Sequence, residues 1–277
     1  MLANLKDVLV PAEQGKYAVG HFNVVNLEMA RGVLEAAEEA EAPVILGIEE
    51  KHLPICPLDE FAAFVVPMAR KASVPVVVHF DRGATFQRCI EALKLGFTSV
   101  NLDCSRDALE LNIAKVAEMA RTAHAFGATV EAELGYTPSA AELAEGMTTD
   151  FLTDPRQTED YVAKTEVDAL AISVGTAHGE YKVQPKLDYM RIRAITEAVS
   201  VPLVLHGGSG LSDSAVREAI TSGISKIDIF TDLNIACFQG AIQAYNDGVY
   251  LVSEAVPYEI HAVKVAAAEK IKLFSNR

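Results

Sequence analysis

The sequence lacks the features that mark membrane, secreted and nucleic-acid-binding proteins. No stretch of about 18 apolar residues occurs along the chain, so we predict no membrane span. The first residues have neither the basic region nor the long apolar run of a secretory signal. The four cysteines are scattered, without a C-x-x-C pair, which indicates reduced thiols in a cytoplasmic protein. A net charge of −14 argues against nucleic acid as a partner.

The length and composition favour one large α/β domain. The chain has 277 residues, of which 50% are hydrophobic, and it can bury a sizeable core. No change in composition marks a second domain, so residues 1–277 are predicted to form a single domain. Because the chain is acidic, an anionic substrate must be bound locally, by backbone amides and a few cations.

Short apolar, β-branched runs alternate with segments of helical spacing along the whole chain. The runs predict strands at 17–23, 43–49, 74–80, 99–103, 129–134, 169–174, 201–206 and 226–230. The spacing between them predicts helices that include 27–41, 58–71, 85–95, 108–126 and 212–222. Gly96, Gly127 and Gly223 stand just before strands, as C-capping glycines do.

Eight alternating units of strand and helix predict the α/β fold class and, within it, a (β/α)8 TIM barrel. A doubly wound sheet is the alternative, but the number of strands and the lack of Gly-x-Gly-x-x-Gly after the first strand argue against it. Residues 246–277 predict one or two extra C-terminal helices, packed on the barrel or on a neighbouring subunit. The long loop 136–153 is expected to be a lid, with Glu142 and Glu145 as candidates for a second acid/base.

Polar residues stand at or just after the C-terminal ends of nearly all the predicted strands. They are Asn23, Glu49, Asp81, Asp103, Glu133, His206 and Asp228. In a barrel these positions converge on one mouth, where the catalytic groups of this fold lie. Any one of them could be a helix cap or a solvated loop end, but together they predict a site.

A glycine-rich loop, LHGGSG at 205–210, follows the seventh predicted strand. Its glycines let backbone amides approach an anion closely, and the helix that begins near Ser212 adds its dipole. Phosphate sites in barrels often use the loops after strands seven and eight, and Thr231 begins the helix after strand eight. The alternative is a tight turn that needs glycine for its dihedral angles alone.

Two histidines stand on short motifs at this end of the chain, His206 in that loop and His178 in GTAHG at 175–179. Imidazole is a common zinc ligand, so the pair predicts a metal held beside a phosphate. A third motif, HFDRG at 79–83, looks like their partner, but it carries Arg82 where a third imidazole would be expected.

Further motifs occur in the same order along the chain: FNV at 22–24, NLE at 26–28, EAELG at 131–135, PKLD at 185–188 and VPLV before the glycine-rich loop. Together with the histidine motifs, they resemble the class II, metal-dependent ketose-bisphosphate aldolases, which include the fructose- and tagatose-bisphosphate enzymes. The similarity extends over the whole chain, so it implies a shared barrel fold and a shared ancestry.

The resemblance implies roles for individual residues. Zn²⁺ would be bound by His178 and His206, Asp81 would be the catalytic acid/base, and Glu133 the supporting acid near the metal. Zn²⁺ polarises the ketone and stabilises the enediolate left by C–C cleavage, while Asp81 moves a proton on the aldehyde oxygen. The residues expected to bind the phosphate and the rest of the substrate are Asn23, Gly179, Lys182, Gly207, Gly208, Ser209, Asp228 and Thr231.

Several positions depart from the family's pattern, and all of them change charge around the mouth. Arg82 replaces a zinc histidine and cannot ligate a metal, because a guanidinium has no acceptor. Asp228 stands where an asparagine is usual, and Arg106 where a histidine is common. Glu49 and Glu50 stand at the distal end of the substrate, where two carboxylates would oppose a second phosphate.

The metal site is therefore expected to be weakened or rebuilt. Glu133 could complete a set of two histidines and one carboxylate, or Arg82 could itself replace the metal as a fixed cation facing the enediolate oxygen. Pairing of Arg82 with Glu50, Asp103 or Asp228 could compensate for its charge.

The predicted function is that of a class II aldolase-like aldehyde-lyase, which cleaves or forms a C–C bond in a phosphorylated ketose to give dihydroxyacetone phosphate and an aldehyde. Two alternatives stay open: a metal-depleted homologue that binds a sugar phosphate without catalysis, and an enzyme of different carbohydrate chemistry, such as an epimerase. The expected partners are a small sugar phosphate and further copies of the chain, in a homodimer or homotetramer; no membrane partner is expected.

Overall fold

The computed structural model describes residues 1–144 and 151–275 of the chain. Its strands are β1 (Leu2–Ala3), β2 (Val19–Asn23), β3 (Val44–Glu49), β4 (Val76–Gly83), β5 (Ser99–Leu102), β6 (Thr129–Leu134), β7 (Ala169–Ile172), β8 (Leu203–Leu205) and β9 (Ile224–Ile229). Parallel neighbours follow the order β4-β3-β2-β9-β8-β7-β6-β5, and β4 also pairs with β5. Strands β2 to β9 therefore close into the predicted eight-stranded barrel, which excludes the doubly wound sheet.

The helices are α1 (Leu5–Gly15), α2 (Leu27–Glu39), α3 (Leu58–Lys71), α4 (Phe86–Lys94), α5 (Leu109–Ala125), α6 (Ala140–Ala144), α7 (Pro155–Thr165), α8 (Tyr189–Ala198), α9 (Asp213–Ser222), α10 (Thr231–Asn246) and α11 (Val252–Phe274). The predicted helices 85–95 and 212–222 each begin one residue before the observed α4 and α9, because that residue is the N-cap. Thr85 and Ser212 are N-caps whose side chains accept from the main-chain N–H three residues on. The C-capping glycine predicted at Gly223 has a φ of +127°, which other residues rarely adopt.

Helix α1 and strand β1 were not predicted, and α1 fills the N-terminal end of the barrel. Asn4 begins the helix in a capping box with Asp7, which satisfies two free N–H groups. The helix buries four apolar side chains against inward-facing strand residues; this cluster comprises Leu5, Val8, Leu9, Ala12, Val19, Ile45, Val77, Ala169, Ala171 and Val204. One end of the barrel is therefore apolar and filled, and the polar interior residues lie towards the other end, the mouth.

The predicted C-terminal extension is one long helix, α11, which packs against α2 and α10. Gly32 and Gly240 allow this close packing, because a Cβ at either position would lie 2.7 Å from a main-chain oxygen of α11. Within the two described ranges, no helix is both long and apolar enough to cross a membrane. The candidate acid Glu145 lies outside the described residues, and the extent of the single domain over residues 1–277 stays a prediction.

Candidate active site

A β-bulge in strand β4 forms the centre of the mouth. Side chains alternate along this strand, so that His79 and Asp81 face inward while Phe80 packs in the outer core. The register with β5 then shifts between Phe80 and Gly83, and Arg82 has a φ of +51°. The bulge re-aims a side chain, so the consecutive residues Asp81 and Arg82 both face the mouth. A non-glycine residue in this conformation costs roughly 1–2 kcal/mol, and such strain is often retained at functional sites.

Arg82 lies at the centre of a set of short polar contacts. Its Nη1 is 2.8 Å from Nε2 of His178 and 3.3 Å from Oε2 of Glu133, and its Nη2 is 2.9 Å from Oδ2 of Asp103. Burial would lower the pKa of Arg82, but the carboxylates of Glu133 and Asp103 raise it above its ordinary value. Of the three partners considered from the sequence, Arg82 therefore pairs with Asp103.

His178 is held in one orientation by its loop and by Arg82. Its main-chain N–H donates to Pro138 O at 2.8 Å, and its carbonyl accepts from Ala140 N at 2.7 Å. Burial and the charge of Arg82 lower the pKa of the ring to about 3, so the imidazole is neutral. Because a guanidinium can only donate, Nε2 must be the acceptor, and the proton of the neutral ring lies on Nδ1.

His206 lies deeper and is surrounded by carboxylates. Its Nε2 is 3.0 Å from Oε1 of Glu131 and 3.5 Å from Oδ2 of Asp228, and its Nδ1 is 3.6 Å from Oε2 of Glu133. Burial would lower the pKa of the ring, but Asp228, Glu131 and Glu133 raise it to about 9. His206 is therefore an imidazolium at neutral pH, and both ring nitrogens are donors.

Lys226 is a site residue that sequence reasoning missed. Its side chain is fully buried, and its Nζ lies 2.8 Å from both Oε2 of Glu131 and Oδ1 of Asp228. Asp228 also lies 3.0 Å from Nδ1 of His21. The signal was present as ISKIDI at 224–229, where a lysine and an aspartate two positions apart interrupt an apolar strand. Alternation in a strand places both on the inner face.

Asp81 combines one satisfied and one unsatisfied carboxylate oxygen. Its Oδ2 accepts from Nδ2 of Asn23 at 2.7 Å, while the buried Oδ1 has no hydrogen-bond partner among the residues described. Burial would raise the pKa of this carboxyl, but the nearby His21 and His206 rings hold it well below its usual range. Asp81 is therefore ionised, with one oxygen free to accept a proton.

A cavity of about 50 Å³ opens at the mouth. Most of the predicted site residues line it: Asn23, Asp81, His178, Gly179, Gly207, Ser209, Asp228 and Thr231. The predicted catalytic acid Glu133 lies behind this wall, where Oε1 accepts from Thr137 N at 2.8 Å. Gly208 is also outside it, since its N–H donates to Asp228 O at 3.0 Å. Gly208 thus serves the packing of the loop on β9 and leaves the anion contacts to its neighbours.

The glycine-rich loop lines the cavity with residues whose donors have no hydrogen-bond partner among the described residues. Gly207 has a φ of +70°, and no hydrogen bond from the N–H of Gly207 or Ser209 occurs among the described residues. The hydroxyl oxygen of Ser209 accepts from Phe230 N at 3.1 Å and Asp232 N at 3.4 Å, so its own proton is available to a ligand. These donors lie beside the N-terminus of α10, an arrangement that suits an anion.

The cation beside this loop differs from the predicted one. Lys182 is exposed and does not line the cavity, whereas Lys51 does. Lys51 lies in the short 3₁₀ helix Glu50–His52, and its Nζ is 2.5 Å from Oε2 of Glu49 and 6.0 Å from the ring centroid of Phe230. Because Phe230 directly precedes Thr231, Lys51 lies at the same end of the cavity as the glycine-rich loop.

The acidic pair expected at the distal end is divided in the structure. Glu49 lines the cavity and contacts Lys51, whereas Glu50 accepts from Ala84 N at 2.5 Å and lies 3.9 Å from Arg88. Arg106 stacks on the ring of Tyr136, at 4.0 Å from its centroid, and donates to Glu142 at 2.9 Å. Glu142 is therefore engaged in this surface contact.

Comparison with known proteins identifies the family. A family model described as class-II fructose-bisphosphate aldolase matches residues 3–277. The uncharacterized protein YdjI of Escherichia coli K12 is 38% identical over 276 residues, which cover 100% of this chain and 98% of that protein. A fructose-bisphosphate aldolase of Geobacillus stearothermophilus is 36% identical over 286 residues, which cover 99% of this chain and 97% of that protein. The crystal structure of the YdjI aldolase from Escherichia coli K12 matches with a TM-score of 0.89 and 37% identity, over 99% and 97% of the two chains.

This chain belongs to the class II fructose-bisphosphate aldolase family. The predicted resemblance and the predicted class of enzyme, an aldehyde-lyase of the class II aldolase type, are thereby confirmed. The family is typically metal-dependent, and the described residues include two groups with the donor atoms of a metal site, His21 with Asp81 and Asp228, and Glu131 with His206 and Asp228.

The residues at the mouth do not fit a zinc ion shared by His178 and His206. Nε2 of His178 accepts from Arg82, and Nε2 of His206 is already engaged by Oε1 of Glu131 at 3.0 Å. His178 is absent from both groups of metal-type donors. In the deeper group the ammonium of Lys226 already lies between Glu131 and Asp228, so a dication there would meet a fixed positive charge.

Proposed function

We propose that this chain cleaves or forms a C–C bond in a phosphorylated ketose, giving dihydroxyacetone phosphate and an aldehyde. The observation that carries the proposal is one cavity with two complementary parts. The same cavity is lined by Asp81, whose buried Oδ1 has no hydrogen-bond partner, and by Gly207 and Ser209, whose N–H groups make no hydrogen bond among the described residues. A general base held beside an anion site is what cleavage of a sugar phosphate requires.

Asp81 is the base of the proposed cleavage. As a carboxylate it removes the proton from the hydroxyl at the carbon that becomes the aldehyde, and in synthesis it returns that proton to the aldehyde oxygen. Its hydrogen bond from Asn23 fixes Oδ2 at 2.7 Å, which leaves Oδ1 as the oxygen without a partner among the described residues. Glu133, the second predicted catalytic acid, supports the site through its contacts with Arg82 and His206.

The charges of the cavity wall support a substrate with one phosphate. Gly179, Gly207, Ser209 and Thr231 surround the proposed phosphate position, and Lys51 supplies the cation that was expected from Lys182. The remaining charged residues that line the cavity are the carboxylates Glu49, Asp81 and Asp228. A second phosphate would meet this negative wall, so we expect the aldehyde half to carry hydroxyls. Faster turnover of a bisphosphate than of its monophosphate counterpart would contradict this assignment.

The proposed activity is tested by supplying a panel of ketose 1-phosphates and bisphosphates and measuring dihydroxyacetone phosphate with a coupled reductase. The variant Asp81→Asn should lower kcat by about 10²–10⁴-fold, with its fold and ligand binding intact. Asp59→Asn, an exposed change in the first turn of α3, is the matched control. An isomerised sugar without dihydroxyacetone phosphate would favour the epimerase alternative. Binding of sugar phosphates without turnover of any would favour the binding protein.

We also propose that the chain forms a homodimer or homotetramer in the cytoplasm. Large apolar side chains are exposed on α10 and at the start of α11, among them Phe238 at 68%, Tyr245 at 66% and Leu251 at 61%. Such a patch is typical of a protein–protein contact. All four cysteines are free, in keeping with a reducing compartment. Light scattering of the native protein and of Phe238→Asp tests the assembly, and a monomeric native protein would contradict it.

A further inference from the structure

We propose that Arg82 and His178 together take the role that a metal ion has in relatives of this chain. Arg82 holds His178 as the neutral tautomer with its proton on Nδ1, and that N–H donates to the substrate oxygen on which negative charge develops. The inference rests on the proposed function, because it names the group that stabilises the enediolate of that reaction. His178 is thus the catalytic residue of the pair, and Arg82 positions it.

The first argument is geometric. A zinc ion bound to Nε2 of His178 would lie about 2.1 Å from that atom along its lone pair. Nη1 of Arg82 lies 2.8 Å from the same nitrogen and occupies its acceptor position, so an ion there would lie well inside contact distance of Nη1. The ion and the guanidinium therefore exclude each other, and Nδ1, which carries the proton, has no lone pair to offer instead.

The second argument concerns how firmly Arg82 is held. Its guanidinium makes ion pairs with Asp103 and Glu133, and the side chain of Glu133 is fully buried. Moving Arg82 aside would leave that carboxylate without its guanidinium partner, which is costly for a buried charge. The strained backbone of Arg82, with its φ of +51°, also commits the side chain to this position. Arg82 is therefore a fixed part of the site.

The third argument is that His178 has a donor to offer. The ring lines the same cavity as Asp81, and no hydrogen bond to Nδ1 is formed by any residue in the described parts of the chain. A neutral imidazole can polarise a carbonyl in an enzyme, and a fixed donor needs no rearrangement as the oxyanion forms. The positive charge of Arg82, one hydrogen bond away, strengthens that donor.

The bonds and protons of the step balance as follows. Asp81 takes the hydroxyl proton, the oxygen's electron pair forms the C=O of the aldehyde, and the C–C bond breaks. The electron pair of the broken C–C bond forms the C=C bond of the enediolate, and the π pair of the ketone moves onto the ketone oxygen, which accepts from Nδ1–H of His178. The enediolate carbon then takes up a proton from water and Asp81 returns the one it gained to the solvent, so no net proton is exchanged.

The tautomer and the metal content are measured without reference to activity. In ¹⁵N NMR spectra of histidine-labelled protein, His178 should show a protonated Nδ1 and an acceptor Nε2. In Arg82→Gly, which removes the guanidinium and suits the positive φ, this pattern should be lost. Wild-type protein purified without chelator should hold less than about one tenth of an equivalent of tight zinc. One tight zinc per chain, or a proton on Nε2 of His178 in the wild type, would overturn the proposal.

Kinetics then test the role in catalysis. Wild-type activity should withstand EDTA, and Arg82→Gly should lose about 10²–10³-fold in kcat with little change in KM. Added guanidinium at millimolar concentration should restore part of that loss and leave both the wild type and the exposed control Arg121→Ala unchanged. Loss of wild-type activity in EDTA, or no rescue by guanidinium, would refute the catalytic role. If the wild type turns over no ketose phosphate, the proposed function fails, while the NMR spectra and zinc content still decide whether the pair replaces the metal.

Discussion

Replacing Lys226 by methionine should destabilise the barrel strongly, although the change keeps most of the side chain's volume. The ammonium lies 2.8 Å from carboxylate oxygens of both Glu131 and Asp228, and the side chains of Lys226 and Glu131 are fully buried. Burial would lower the pKa of Lys226, but the two carboxylates raise it above its ordinary value, so the lost group is a charge at any accessible pH. Removing one member of a buried ion pair costs about 3–5 kcal/mol, because Glu131 and Asp228 then stay buried with only the His206 and His21 rings beside them.

The assay is thermal and urea unfolding followed by circular dichroism. At about 2 °C per kcal/mol for a chain of this size, Lys226→Met should lower Tm by about 6–10 °C. Lys164→Met, which removes an exposed i,i+4 pair with Asp160, should leave Tm unchanged. Adding Glu131→Gln to Lys226→Met should recover part of the loss, since one buried carboxylate fewer then lacks its ammonium partner. A Lys226→Met protein within about 1 kcal/mol of the wild type would refute the reasoning.

Two further predictions concern pH and the barrel floor. The pKa of His206 is raised to about 9, so its ion pairs stabilise the fold fully below pH 6.5 and are lost as pH rises through 9. The difference in urea midpoint between wild type and His206→Gln should shrink as pH rises from 6.5 to above 9. A difference that stays constant over this range would show that the pKa of His206 is not raised. Leu9→Ala, in the buried face of α1, should cost about 2–5 kcal/mol in urea unfolding. If Leu9→Ala lowers the free energy of unfolding by less than the exposed change Val10→Ala, then α1 does not fill the barrel.

The barrel itself could be predicted because its signals are local and repeated. Each strand from β2 to β9 is an apolar run with a helix-forming segment beside it, and caps such as Ser212 and Gly223 mark the helix ends. Helix α1 has a local signal that was overlooked, the capping box of Asn4 and Asp7, whereas its place in the barrel depends on packing across all the strands. Nothing in residues 1–16 indicates that Leu5 and Leu9 meet strand residues such as Val204, which lies far along the chain.

Part of the set of residues that line the cavity could be predicted, but their contacts could not. Strand ends and motifs placed Asp81, His178 and Ser209 at one mouth, since parallel strands bring their C-terminal ends together. The bulge at Arg82 was hidden, because a register shift depends on the pairing with β5 and leaves no pattern in the sequence. Lys51 was missed for a related reason: its position beside Phe230 depends on how the 3₁₀ helix packs on the start of α10.

The departures from the family's pattern are compensated locally rather than by one another. Arg82 pairs with Asp103 and Glu133, whereas Asp228 pairs with Lys226 and lies near His206. Two separate obstacles to zinc follow, one at each histidine. Arg82→His removes the guanidinium from His178 but leaves His206 protonated beside Asp228.

The variant Arg82→His alone is therefore expected to bind zinc weakly. The double variant Arg82→His with Asp228→Asn should bind zinc at least about tenfold more tightly at pH 7, because each unit by which the pKa of His206 falls raises the zinc affinity about tenfold. Competition with a zinc indicator, with Asp228→Asn alone as the control, measures both affinities. Equal affinity of the single and double variants would mean that Asp228 does not hold the proton on His206, and Arg82 would then be the one barrier to the metal.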